Sequence, residues 1–149
     1  MKSYSILLFS FFLLLCNCSS KRQPKQNASK PNIILIVADD LGWGDVGFNG
    51  QTKIKTPNID RLSNEGLTFT NFYANSPVCS PSRASLLTGM YPDKVGVPGV
   101  IRQNEKNNWG YLSQSVQLIP SALKTKDYDT GIIGKWHLGL ESENSPNAR

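Results

Sequence analysis

Six side chains in this 149-residue chain are of reactive types and lie in settings that would aim them: Asp39, Asp40, Cys79, Arg83, Lys135 and His137. Cys79 begins the stretch Cys79-Ser80-Pro81-Ser82-Arg83, which continues through Leu86, Leu87 and Thr88 to Gly89. This reads as a loop running into a short helix: Ser80 suits the cap, Pro81 the opening helical position, Leu86 and Leu87 an apolar face, and Gly89 the stop. Cys79 then sits just before a helix N-terminus, where unpaired amide hydrogens and the positive end of the dipole stabilise a nucleophile or an arriving anion. Arg83 follows one turn on and can face the same spot. A sulfur, a fixed positive charge and a helix terminus make an anion-handling nucleophilic site. A cysteine so placed is as often inert filling, and spacing alone does not separate the two readings.

The other four residues follow apolar runs. Residues 32–38 form a continuous apolar segment rich in β-branched side chains, the pattern of a parallel strand covered on both faces, with Asp39 and Asp40 at its end. Ligand sites in open α/β sheets gather beyond the carboxyl ends of the strands, so two acids there suit a hard cation. The plainer alternative is that one caps the turn at Gly42-Trp43-Gly44 and the other is solvated. Thr130-Gly131-Ile132-Ile133 reads as a second short buried strand. Lys135 and His137 emerge beyond it, with Trp136 turned the other way by the alternation of a strand. Parallel strands would bring Lys135 and His137 to the edge occupied by Asp39 and Asp40, so the only histidine of the sequence lands in the site.

Cys79-Ser80-Pro81-Ser82-Arg83 with Leu86, Thr88 and Gly89 resembles the first signature of the type I sulfatases, C-x-P-S-R-x-x-L-x-T-G. Residues 32–40 resemble that family's opening strand with its Asp-Asp pair, and Gly134-Lys135-Trp136-His137-Leu138-Gly139 resembles its second signature. The second signature usually begins with Gly-Tyr, where this chain has Asp127-Tyr128. The resemblance implies an α/β, alkaline-phosphatase-like fold with a mostly parallel sheet flanked by helices, here as an incomplete N-terminal part. It also implies that a maturing enzyme oxidises Cys79 to formylglycine, whose hydrate attacks the sulfur of a sulfate monoester and later expels sulfate. Asp39, Asp40 and the modified Cys79 would be calcium ligands, Arg83 and Lys135 would support the formylglycine oxygens, and His137 would contact its other hydroxyl. Calcium takes about six to eight oxygen ligands. In the family a further Asp-Asn pair and another His and Lys come from much later in the chain.

The supporting elements are read in the same way. Thr56-Pro57-Asn58 starts a short helix with Ile59 and Leu62 on one face and Gly66 at its end. Residues 67–70 alternate as a half-buried strand leading to Phe72 and Tyr73, which read as core. Residues 91–117 form a long irregular stretch, a possible substrate entrance, in which Trp109 reads as pinning the loop to the surface. A helix with Pro120 near its start is expected over 118–126.

At the N-terminus, Lys2 and the apolar run of residues 6–15 fit a secretory signal peptide over 1–18, followed by a polar basic tether over 19–30. Cys18 with Ser19-Ser20 resembles a bacterial lipoprotein cleavage site, Cys16 being the other candidate for lipid. With two of the three cysteines in the leader, no disulfide framework is available, and an exported protein that keeps Cys79 unpaired needs a reason for it. The chain carries a formal net charge of +5, and five of its sixteen basic residues lie before residue 31. Residues 31–149 therefore hold eleven Lys plus Arg against eleven Asp plus Glu, and this neutral balance gives no support to nucleic-acid binding.

The expected function is a calcium- and formylglycine-dependent sulfuric ester hydrolase acting on a sulfated small molecule or carbohydrate. Residues 31–149 would be a truncated portion of its catalytic domain, with activity belonging to the full-length product. The alternatives are a non-catalytic remnant and a related phosphonate or phosphate ester hydrolase.

Overall fold

The computed structural model describes residues 29–140 and 142–148. The expected signal peptide, almost all of the tether, Cys16 and Cys18 lie outside the described residues. The chain divides into two units, residues 1–37 and 38–149. In the described part of the smaller unit there is no regular element, and the apolar run expected to be buried is open to solvent, Ile34 and Ile36 being 84% and 81% exposed.

The larger unit is organised by three helices: α1, Pro57–Glu65; α2, Cys79–Thr88; and α3, Ile119–Lys124. Short 3₁₀ turns connect them, including Trp43–Asp45, Gly47–Asn49 and Pro92–Val95. The sequence places the start and stop of α1 well. Thr56 is the N-cap of α1 with Pro57 behind it, and the Gly66 amide closes its end on Leu62 O at 2.9 Å. Leu118 caps α3, which is shorter than its pattern suggests.

Asp60 of α1 ties the turns that follow the Asp39-Asp40 pair. Its Oδ1 accepts from Phe48 N–H and from Thr56 Oγ1, both at 2.9 Å, while Gly47 N–H donates to Thr56 Oγ1 at 2.8 Å. A Cβ at residue 47 would collide with the Asp60 carboxylate, so glycine is what lets the turn come this close.

No strand forms among the described residues. The expected sheet is therefore not seen there, and the three segments predicted to build it are open: besides residues 33–37, Leu67 and Phe69 are mostly exposed and Ile133 completely so. Phe72 and Tyr73, expected in the core, are also exposed, and Phe72 keeps only a tilted ring contact with Phe69 at 6.0 Å. The physical reason lies in what a parallel strand requires. Its amides and carbonyls need a neighbouring strand and its two faces need covering helices, neither of which a run of apolar residues supplies for itself.

The core forms elsewhere. It consists of Ala84, Val95, Val97, Ile101, Leu112, Leu118 and Leu138, with Leu87, Tyr111, Val116 and Trp136 packed against it. Four of these seven, Val95, Val97, Ile101 and Leu112, come from the stretch expected to be an irregular loop. That stretch wraps α2 and is fastened by Val97 N–H to Pro92 O at 2.9 Å, Ser113 N–H to Val95 O at 2.9 Å and Leu112 N–H to Leu138 O at 3.1 Å. Gly96, at φ 86°, lets residue 96 approach Tyr111 O closely enough that a Cβ would lie 2.6 Å from it. Trp109 is exposed, with its ring edge over Gly99. The face that α2 buries is Ser80, Pro81, Ala84 and Ser85, small residues that admit the wrapping chain, whereas Leu86 is exposed.

Candidate active site

Helix α2 sets the site. It starts two residues before the expected position, with extended Val78 (φ −131°, ψ 159°) as N-cap, so Cys79 is its opening residue. No side chain caps the helix, and Pro81, in its first turn, has no N–H to leave unpaired. Ser80 is thus not the cap. It is fully buried, and its Oγ accepts from the Ile101 amide at 3.1 Å. Ser82 instead holds the entry, its Oγ lying 2.7 Å from Ser76 O and 2.8 Å from Val78 O. Gly89 ends the helix in the left-handed conformation the sequence implies, its amide donating to Ser85 O at 2.8 Å. Half-buried Cys79 is a free thiol at the positive end of this helix.

Arg83, four residues along α2, spans the site. Its side chain is 15% exposed; Nη1 donates to Lys135 O at 2.7 Å and Nη2 to Asp39 Oδ1 at 3.0 Å. Lys135 Nζ closes the triangle on Asp39 Oδ2 at 2.9 Å. Residues 39, 83 and 135, remote in sequence, meet in one ionic cluster. The Lys135 hydrogen bond, followed by that of Arg83, holds the Asp39 carboxyl below its ordinary range. The Asp39 bond in turn raises the Lys135 ammonium, and charge on Cys79 acts in the same direction. Arg83 and Lys135 thus share one carboxylate, with Asp40 next to it in sequence.

His137 lies two residues beyond Lys135 and is half-buried. Its Nε2 lies 2.7 Å from Ile101 O, while Nδ1 is buried without a hydrogen-bond partner. The backbone at His137 is left-handed (φ 59°), as it is at Asp40 (φ 58°). This is an uncommon conformation for a residue with a side chain, and such strain collects at functional sites. Strand alternation therefore does not present Lys135 and His137; a left-handed turn after Gly134 (φ 111°) does. Trp136 does turn the other way, into the core, its indole N–H donating to Asn144 O at 2.7 Å.

Asp39 and Asp40 offer carboxylate oxygens of the kind calcium prefers, and each Asp39 oxygen, bonded once, keeps further lone-pair capacity. The pair fits such an ion in kind and supplies part of a shell. Among the described residues no group of three or more His, Cys, Asp or Glu converges as a complete site. Sequence reasoning missed the role of Ser80, which gave no signal beyond its capping propensity and braces Ile101, the residue whose carbonyl meets His137.

Comparison with known proteins matches the same blocks. The family model described as Sulfatase covers residues 31–148. The chain is 46% identical over 129 residues to N-acetylgalactosamine-6-O-sulfatase of Bacteroides thetaiotaomicron, a match covering 85% of this chain and 25% of that protein. It is 47% identical over 119 residues to arylsulfatase A of Bos taurus, covering 79% and 23%. The crystal structure of Ps i-CgsB in complex with k-i-k-neocarrahexaose superposes with a TM-score of 0.74 at 45% identity, over 81% of this chain and 26% of that one. The chain thus spans about a quarter of the length of the relatives it matches, and over that part its backbone superposes on the solved structure. With the family model covering residues 31–148, a range that contains Asp39, Cys79, Arg83, Lys135 and His137, the chain belongs to the sulfatase family.

Proposed function

We propose that the protein carrying this chain is a sulfuric ester hydrolase that cleaves sulfate monoesters, with Cys79 as the precursor of its nucleophile. The observation that carries this reading is the convergence of Arg83 and Lys135 on Asp39, in contacts of 2.7 to 3.0 Å, at the end of the helix that Cys79 opens. A sulfate monoester needs its negative charge held while sulfur is attacked, and two fixed cations at a helix N-terminus hold anions. Arg83, pinned at both terminal nitrogens, pays little ordering entropy on binding. Lys135 keeps two further N–H donors for an oxyanion. His137 is held by Nε2 against Ile101 O at 2.7 Å, which leaves Nδ1 without a hydrogen-bond partner.

Oxidation of Cys79 to formylglycine would supply a hydrated aldehyde as nucleophile. Calcium, held in part by Asp39 and Asp40, would supply Lewis-acid polarisation of the sulfate oxygens. A formylglycine-generating enzyme is then an obligatory partner. The sulfated-carbohydrate class is supported by the N-acetylgalactosamine-6-O-sulfatase relative and by the neocarrahexaose complex. The leader over 1–18 supports export, with Cys18 or Cys16 as lipid anchor on the outer face of a bacterial membrane.

The test pairs an aryl sulfate with an aryl phosphonate, assayed on the protein that carries this chain, with mass spectrometry of the Cys79 peptide. Sulfate release with the Cys79 sulfur replaced by oxygen supports the reading. A phosphonate preference, or turnover with the thiol unchanged, refutes it.

A further inference from the structure

We propose that Ser80 is a positioning residue for His137, acting through the backbone of Ile101. The two bonds run in series. The Ile101 amide donates to Ser80 Oγ at 3.1 Å, and the Ile101 carbonyl lies 2.7 Å from His137 Nε2. A carbonyl oxygen only accepts, so the proton of this bond is on Nε2, and Nδ1 is the ring nitrogen the bond leaves over. Nδ1 is the atom left buried and unpartnered. The relay therefore decides which imidazole nitrogen is bonded to the backbone and which is left over, and fixes the ring plane.

Burial makes the relay stiff. Ser80 is 0% exposed, Ile101 3%, and Leu138, the residue after His137, 0%. A buried hydroxyl costs free energy unless it is bonded, and this one is spent on the chain segment that holds the histidine, not on the helix cap that its sequence position suggests. The side chain of Ile101 is locked in the core beside Ala84, so residue 101 can move only if the packing moves. Ser80 adjoins Cys79, which means one short segment of α2 both carries the reactive position and, through residue 101, orients the imidazole. The inference rests on the site reading above for its catalytic meaning and on the two hydrogen bonds alone for its structural content.

Because His137 is the only histidine in the 149 residues, its ring is a single reporter. In the intact chain labelled with ¹⁵N, exchange of the His137 Nε2 proton with water is measured by NMR for wild type, Ser80→Ala and Ser80→Thr. Wild type should show one protected Nε2–H and an unprotonated Nδ1. Ser80→Ala should exchange about tenfold faster as the segment loosens, and Ser80→Thr, which keeps a hydroxyl, should restore protection. Equal exchange in wild type and Ser80→Ala overturns the proposal. If Ser80→Ala does not fold, Ser80→Cys, which keeps the size and weakens the acceptor, takes its place: faster Nε2–H exchange than in wild type supports the relay, and equal exchange overturns it. Loss of protection in Ser80→Ala in a protein that releases no sulfate would sink the function and leave the relay standing.

Discussion

Two regions of the larger unit are comparably apolar and meet opposite fates. Val95, Val97, Ile101 and Leu112 pack against α2 and Leu138, whereas Leu67, Phe69, Ile132 and Ile133 are open to solvent. The packed region reads in sequence as a loop and the open ones read as strands. The difference lies in where each finds its partners. The wrapping stretch settles its backbone groups in turns and in single bonds to residues 92, 95 and 138, all in this chain, so its side chains are free to fill a core. A strand has to satisfy its amides and carbonyls on a neighbouring strand before its side chains can pack. Cys79 and Arg83 stand on α2 in the first kind of region, while Asp39 and Lys135 stand at the ends of open runs and are held by Arg83 and by each other, so the ionic cluster forms without the sheet.

The sharpest separation of chemistry from packing is at Cys79. Cys79→Ala should lower sulfate release by about 10³-fold or more while the thermal midpoint stays near that of wild type. Retained turnover would mean that the packed region carries no nucleophile.

Within the packing itself, Leu138→Ala in the fully buried core should cost about 2–5 kcal/mol in urea unfolding, against about 0.5 kcal/mol or less for Ile133→Ala. Equal costs would erase the contrast between the two regions. A smaller effect is expected from the backbone. Gly96→Ala, at positive φ and against Tyr111 O, should destabilise by about 1–3 kcal/mol, while Gly131→Ala, with nothing within 4 Å, should be neutral or slightly stabilising.

The weakest effect is electrostatic, since the ions are partly solvated. Asp39 titrates below its ordinary 3.8, so its pairs contribute above that pH and are lost as pH falls through the lowered value. Lys135 titrates above its ordinary 10.5, so its pair is intact below 10.5 and is lost as pH rises through the raised value. Carboxyl ¹³C shifts of Asp39 that titrate at or above 3.8 would remove the cluster from solution.

Much of the larger unit was legible in sequence because its signals are local. Pro57 and Gly66 bound α1, and Gly89 stops α2. Trp136 points inward, as alternation implied, although a left-handed turn and not a strand puts it there. The rest depended on contacts at long range. Ser80 looks like a cap because a hydroxyl before proline usually is one; only the approach of residue 101 shows otherwise. Nothing in the alternation of Gly, Val and Asn over 91–117 announces that Val95 and Val97 will be fully buried, since each borrows its cover from α2 and from the chain beyond residue 110. The strands failed for the converse reason: β-branched composition states a preference, and a sheet is a collective object.

Asp40 and His137 stand on a backbone wound against the usual hand of the polypeptide. Mutational drift at these two places is hemmed in twice, by the atom the proposed chemistry would use and by the torsion the chain must hold. Glycine or asparagine would sit there comfortably and forfeit the carboxylate or the ring; valine would forfeit both the chemistry and the turn. Few substitutions can pass both filters, so inheritance at these positions is set as much by handedness as by reactivity.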